Sequence, residues 1–374
     1  MKRLWTILRL GIKELRSLRA DRVMTLLLVY TFSYGVYAAA TGMSFEVRNA
    51  AIAVVDEDQS PLSHHLTDSF IAPYFKPAVE IGGAEIDHVL DQGLYAFVLH
   101  IPSNFEADLR GGRQPTLQVN IDATAMTLAG NGQRYIQEIL QREIDTFLYG
   151  ERNAGGLIDV VVRVRFNPNL TSAWFSSVMQ VINNITMLSV ILTGAAFIRE
   201  REHGTIEHLL VLPVRPADIM LGKIWASGLV IVAAATLSLL LVVHLLLAVP
   251  IAGSLGLFIL TAVLYEFSVT ALGILLATFT TSMPQFGLLA IPVLIILNLL
   301  SGSSTPMESM PDWLQTVMQF TPTPHFVSAA QGILYRGAGI EIVWPSLAAL
   351  LAIGLAFYLV ALSRFRRALA RLQS

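Results

Sequence analysis

Chemistry on a substrate requires a nucleophile, an acid–base pair or a metal-binding set, and the 374 residues of this chain offer few candidates. There is no cysteine, which removes thiolate catalysis, disulfides and cysteine-ligated zinc or iron–sulfur centres together. No G-x-x-x-x-G-K-[ST] cradle for a nucleotide phosphate occurs, since Gly222-Lys223 is followed by Ile224 and lacks the preceding glycine. G-x-S-x-G, H-E-x-x-H and G-x-G-x-x-G are missing as well, so hydrolase, zinc-protease and dinucleotide chemistry lose their usual signatures. His203 and His208 are five apart and do not share a helical face. The run Asp56-Glu57-Asp58 either offers donors to a cation or forms a solvated turn closed by Pro61, with Ser60 capping the next helix. Glu266 is the one acid inside a long apolar stretch, which makes it a functional candidate unless it faces a turn.

The elements that must position these residues belong to a membrane. The chain is 54% hydrophobic and only 14% charged, against about 25% charged in an ordinary soluble domain. Stretches free of Asp, Glu, Lys and Arg mark the crossings, because a charge at the bilayer centre costs about 2.5–3.5 kcal/mol on the mildest scale. One stretch lies between Arg22 and Glu46, a second between Arg165 and Arg199, and a third runs from Lys223 to Glu266 with a turn at Pro250, Gly253, Ser254 and Gly256. A fourth, from Glu266 to Glu308, is broken at Ser282, Met283 and Pro284, and a last crossing runs roughly from Val343 to Leu362. Six transmembrane helices are predicted. The first is too long in its apolar core for a cleaved secretion signal and reads as an uncleaved anchor.

Orientation follows the basic residues. Lys2, Arg3, Arg9, Lys13, Arg16, Arg19 and Arg22 precede the first crossing, and Arg364, Arg366, Arg367 and Arg371 follow the last. Both termini are therefore expected in the cytoplasm, as an even number of crossings requires. Residues 43–173, with nine basic and seventeen acidic side chains, then fall outside. Strand-like runs at Ala50–Asp56, Tyr95–Ile101 and Thr116–Asp122 alternate there with helical stretches at Ser63–Phe75, Ala84–Gln92 and Gln133–Leu148, so an extracytoplasmic α/β domain is expected between the first two crossings. The predicted order is residues 1–22 as a cytoplasmic amphipathic helix, 23–42 as the first crossing, 43–173 as the outer domain, 174–363 as crossings two to six with a cytoplasmic loop at 199–223, and 364–374 as a basic tail.

Three polar features remain. Trp5, Leu8, Ile12, Leu15 and Leu18 recur every three or four residues among basic side chains, the pattern of an interfacial helix; a plain basic flank would explain the charges but not the apolar spacing. Gln180, Asn183, Asn184 and Met187 share one face of the second crossing, where they either line a translocation path or bond neighbouring helices. Between the fifth and sixth crossings, Pro306, Met310, Pro311, Trp313, Leu314, Val317, Met318 and Phe320 read as a broken amphipathic stretch, a re-entrant pair of short helices or a capping loop.

The segment from Arg199 to Ile224, REREHGTIEHLLVLPVRPADIMLGKI, places dense charge directly after a crossing and follows it with Ile206, Leu209 and Leu210. Read alone, it is a partner-docking helix or a solvated helix end. Its EREHGTIEHLLVLP core resembles the E-x-x-G-T-x-E-x-L-L-V-x-P pattern of ABC-2 transporter permeases, with Gly204 shifted by one place relative to Glu200. DEDQSPLS at Asp56–Ser63, IPSNFEADLRGG at Ile101–Gly112, VNIDAT at Val119–Thr124, SGSSTPMESMPDWLQ at Ser301–Gln315 and HFVSAAQGILYRG at His325–Gly337 also look like that family. The resemblance implies an inner-membrane exporter permease that performs no hydrolysis itself, with ATP and Mg²⁺ bound by a separate ABC ATPase and no cofactor or metal in this chain. It implies a second permease copy or paralogue and assigns ATPase-coupling roles to Glu200, Glu202, Gly204, Thr205, Glu207 and Leu210. It also likens the N-terminal helix to the family's elbow helix. A periplasmic adaptor protein joins the lipid bilayer as an expected partner, and nucleic acid does not. A membrane-anchored receptor or assembly protein, whose outer domain binds a partner without transport, and a passive channel are the rival readings.

Overall fold

A computed structural model describes residues 2–42, 47, 49–122, 126–150, 171–202, 214–303 and 305–373. The chain divides into two compact units, one of residues 1–43 and 173–374 and the other of residues 44–172.

The N-terminal charges and apolar residues wind into one helix, α1 (Lys2–Ala20). Asp21 then caps α2 (Arg22–Phe32) by accepting from the Met24 amide. Ser33 interrupts the helix and α3 (Tyr34–Gly42) resumes it, so the first apolar stretch is two helical pieces rather than one. The Ser33 amide keeps its helical bond to the Val29 carbonyl, the Ser33 hydroxyl adds a second bond to the same oxygen, and the break lies in the Ser33 backbone, at φ −112° and ψ −84°.

The unit of residues 44–172 is built around a four-stranded sheet in the order β2-β1-β3-β4. Its elements are β1 (Ile52–Asp56), α4 (Pro61–Asp68), β2 (Val79–Glu80), α5 (Ile86–Asp91), β3 (Phe97–Ile101), α6 (Phe105–Arg110), β4 (Gln118–Ile121) and α7 (Met126–Tyr149). β1 runs parallel to β2 and β3, with Val54 opposite Leu99, and β4 is antiparallel to β3. The two-residue period of a strand sends Ile52, Val54, Phe97, Leu99 and Ile101 to one core with Leu62, Leu66 and Phe75, and sends Ala53, Val55 and Val98 to a smaller core with Val89. Gly132 lets α7 lie directly on the Phe97 ring, because any Cβ at that position would fall within it. The helix expected over Ser63–Phe75 stops at Asp68. The following chain turns back so that Asn49 and Ala50 donate to the carbonyls of Pro73 and Tyr74.

The acidic run resolves into a turn. Asp56 Oδ1 accepts from the amides of Asp58 and Gln59, Asp56 Oδ2 accepts from the Ser63 hydroxyl, and Ser60 and Ser63 form a reciprocal cap on α4.

The remaining helices are α8 (Ser172–Glu202), α9 (Pro216–Ser238), α10 (Leu255–Ala277), α11 (Met283–Leu299), α12 (Asp312–Met318), α13 (Pro322–Arg336) and α14 (Ile340–Gln373). A π-helical stretch, Leu239–Leu246, extends α9. Five helical segments among the described residues are long and apolar enough to cross a membrane: Arg22–Gly42, Ser172–Glu202, Pro216–Leu246, Leu255–Ala277 and Ile340–Arg367. The expected sixth is α11, apolar but only 17 residues long. α14 runs well past Leu362, where hydropathy alone would end it, because Phe365 packs edge-on against Phe197 and Arg364 stacks over Phe279 at 3.6 Å.

Two variants test the inserted unit. Leu99→Ala removes a fully buried core side chain and should cost about 2–5 kcal/mol. Gly132→Leu should overpack α7 against Phe97 and cost about 1–3 kcal/mol. Both should appear as faster protease cleavage within residues 44–172 of the full-length chain.

Candidate functional site

Where α1 crosses the start of α9, the backbones approach closely because two glycines face each other's helix. A Cβ on Gly222 would lie 2.9 Å from Leu10 Cβ, and one on Gly11 would enter the Trp225 indole. The Trp225 indole N–H donates to the Ile7 carbonyl at 3.1 Å. This approach buries Lys223, whose side chain is 3% exposed.

A buried ammonium needs anionic partners, and two helices supply them. Lys223 Nζ donates to Glu14 Oε1 of α1 at 3.1 Å and to the Ala196 carbonyl of α8 at 3.3 Å. Glu200 Oε2 lies 3.0 Å from the same nitrogen without hydrogen-bond alignment, so charge rather than a directed bond holds that pair. Lys13 Nζ donates to Glu200 Oε1 at 2.8 Å. Nearby, Arg199 Nη2 donates to Asp21 Oδ2 at 3.3 Å, which ties α8 to the cap of α2. Burial lifts the Glu14 carboxyl above its ordinary 4.5, and the Glu200 charge adds to that lift, while Lys223 and Lys13 pull it down.

The sequence-predicted residues divide around this junction. Glu200 is turned inward into the cluster. Glu202 Oε1 accepts from the Met283 amide, so it caps the start of α11. Arg201 donates to the Thr280 carbonyl at 2.8 Å. Gly204, Thr205, Glu207 and Leu210 lie outside the described residues. Trp5, Leu8 and Ile12 are exposed and Leu15 is half-buried. Sequence reasoning missed Lys13, Glu14 and Lys223 as one cluster. The available signal was a lysine two turns inside an apolar helix, which requires carboxylates from elsewhere.

Farther along the bundle, the amides of α8 are engaged. Gln180 Nε2 donates to Asn184 Oδ1, and Asn184 Nδ2 donates to the Thr31 carbonyl of α2, both at 2.8 Å. The Ser303 hydroxyl, beyond the end of α11, donates to Asn183 Oδ1 at 3.2 Å. Met187 stays exposed on the outer surface of the unit. Glu266 is 2% exposed at the meeting of α8, α9 and α10. Its Oε2 accepts from the Ser189 hydroxyl, while Oε1 is buried with no hydrogen-bond partner among the described residues. Gly228 of α9 leaves room for it, since a Cβ there would lie 3.0 Å from Glu266 Cγ. The adjacent Tyr265 and Thr186 hydroxyls share a 2.5 Å hydrogen bond.

Among the described residues, five long apolar helices whose buried polar groups largely bond either their own backbone or a neighbouring helix mark a polytopic membrane protein. This chain belongs to the ABC-2 transporter family: the family's sequence model, described as ABC-2 family transporter protein, matches residues 22–363. It is 52% identical over 98% of both chains to the inner membrane transport permease YhhJ of Escherichia coli (strain K12). It is 32% identical, again over 98% of both chains, to that organism's probable multidrug ABC transporter permease YbhR. A further relative there, the probable multidrug ABC transporter permease YbhS, shares 27% identity over 88% of each chain. These relatives support a transport permease role.

Removing one member of the buried cluster exposes its energetics. Lys223→Met leaves two carboxylates facing each other and should destabilise the folded chain by about 3–5 kcal/mol, with partial recovery when Glu14→Gln and Glu200→Gln are added. Thermal unfolding of the detergent-solubilised chain reads this.

A second prediction concerns pH. Because the Glu14 pKa is raised, the folded chain holds this proton more tightly than the unfolded one. The resulting stabilisation is complete below pH 4.5 and is lost as pH rises through the raised value. Glu14→Gln should flatten the pH dependence of the melting temperature across that window.

Proposed function

We propose that this chain is the permease subunit of an ATP-driven exporter in the bacterial inner membrane. On this reading it crosses six times, with α11 as the fifth crossing, and keeps both termini in the cytoplasm. It moves substrate outward while a separate ABC ATPase binds ATP and Mg²⁺. A second permease copy or paralogue completes the pathway, and residues 43–173 form a periplasmic domain available to an adaptor protein.

The observation that carries the reading is the Lys223 junction. It joins the end of α8 and the beginning of α9 to α1, so force applied to the loop between them acts on three helices at once. Glu200 and Glu202 then serve as the fixed root of that loop, each bonded within the bundle. Direct contact with the ATPase falls to Gly204, Thr205, Glu207 and Leu210. The exposed Trp5, Leu8 and Ile12, with Leu15, give α1 an apolar side to lay on the bilayer surface as an elbow helix. Asn184 bonds α8 to α2 with Gln180 holding it from within α8, Asn183 ties α8 to the chain beyond α11, and Glu266 is the polar group nearest a translocation role.

The absence of cysteine makes the test direct. In intact cells, a membrane-impermeant thiol reagent should label Ser103→Cys but not Thr205→Cys. Glu207→Arg should preserve assembly with the ATPase while lowering nucleotide-driven transport on the order of tenfold. Outside labelling of position 205, or failure of the chain to recruit or modulate any ATPase, would overturn the proposal.

A further inference from the structure

Beside the Lys223 cluster, a groove of about 290 Å³ opens between α1, α2 and α8. Its floor is apolar, formed by Leu18, Met24, Leu192 and Ala195. Its rim carries Lys13, Glu14, Asp21, Arg199 and Glu200. The rim lies at the ends of two membrane-crossing segments, since Asp21 immediately precedes the span Arg22–Gly42 and Arg199 lies three residues before the end of the span Ser172–Glu202. The polar rim is thus at headgroup depth and the apolar floor is on the hydrocarbon side. An amphiphile inserted from the bilayer has the same order of polarity along its length. The volume is smaller than a whole phospholipid, so acyl chains would continue into the membrane.

The rim charges select the headgroup. Two cations and three carboxylates line the groove, and the Lys223 ammonium lies within 3.1 Å of two of those carboxylates, so the local charges balance and suit a headgroup carrying both signs. Lys13 and Arg199 bond Glu200 and Asp21 yet are about half exposed, at 48% and 46% of their side-chain area, and an ammonium with three donors and a guanidinium with five can turn others toward a phosphate. Carboxylates favour a headgroup whose cation retains N–H donors, because charge-assisted hydrogen bonds are stronger than contact with a methylated ammonium. We infer that this groove is a binding site for an aminophospholipid of the surrounding leaflet, with the phosphate at Lys13 and Arg199, the ammonium at the Asp21 carboxylate, and the start of an acyl chain on Leu18, Met24 and Leu192. The inference rests on the membrane-spanning character of α2 and α8 and not on export or on an ATPase, so it stands or falls separately from the proposed transport.

The test is native mass spectrometry of the full-length chain released from bilayers containing equal amounts of phosphatidylethanolamine, phosphatidylcholine and phosphatidylglycerol. The wild type should retain phosphatidylethanolamine over each of the others by roughly tenfold, equivalent to one charge-assisted hydrogen bond. Asp21→Asn, which keeps a side-chain cap on α2 but removes a carboxylate, should lower that preference and raise retention of phosphatidylglycerol. Ser17→Phe, at an exposed groove-lining position, should abolish it by filling the space. Equal retention of the three lipids by the wild type, preferred retention of phosphatidylglycerol, or a preference unaltered by Asp21→Asn would overturn the inference. The wild-type and Asp21→Asn measurements decide it even if Ser17→Phe fails to fold.

Discussion

A lysine ammonium sealed between three helices is the constraint around which one end of the bundle is arranged. Lys223 is 3% exposed and has carboxylates from α1 and α8 within 3.1 Å. Neither helix can withdraw without leaving a charge unpaired in a poorly solvated place, so α1, α8 and α9 move as a set or pay heavily to separate. The close approach permitted by Gly11 and Gly222 brings them near enough for this to happen. Together these features make a short, charged N-terminal helix an integral part of the bundle.

The legibility of the fold varied with the strength of the local signal. Apolar runs marked the long helices well, because a hydrocarbon layer tolerates few charges along some 20 residues. The alternating runs around Ile52–Asp56, Phe97–Ile101 and Gln118–Ile121 marked three strands, while β2, only two residues long, carries no pattern that a period could reveal. Phe105–Arg110 is a helix of six residues and was hidden for the same reason. Ser33 gave no warning of the break between α2 and α3, since serine is common in continuous helices. The end of α14 was misplaced because hydropathy is blind to Phe365 on Phe197 and Arg364 over Phe279.

The candidate site was legible in kind but not in arrangement. Glu200 and Glu202 stood out as charges after a crossing, yet Lys13 and Met283, which donate to them, are 187 and 81 residues away along the chain. Long-range pairing of this sort leaves no trace in spacing. The amides of α8 posed the opposite problem: their shared helical face was visible, and only the bonds to Thr31, Asn184 and Ser303 reveal what three of them touch. Glu266 was singled out as a lone acid, but its position under Ser189 and against Gly228 required three helices to be packed first.

The interruption at Ser33 makes the first span a jointed rod. The lower segment is anchored to α8 through Asp21 and Arg199, whereas the upper one follows a residue whose backbone leaves the helical range. Because the Val29 carbonyl still accepts from Ser33 and the Ser33 carbonyl from Tyr37, the two pieces change direction without giving up the hydrogen bonds that a hydrocarbon surrounding demands.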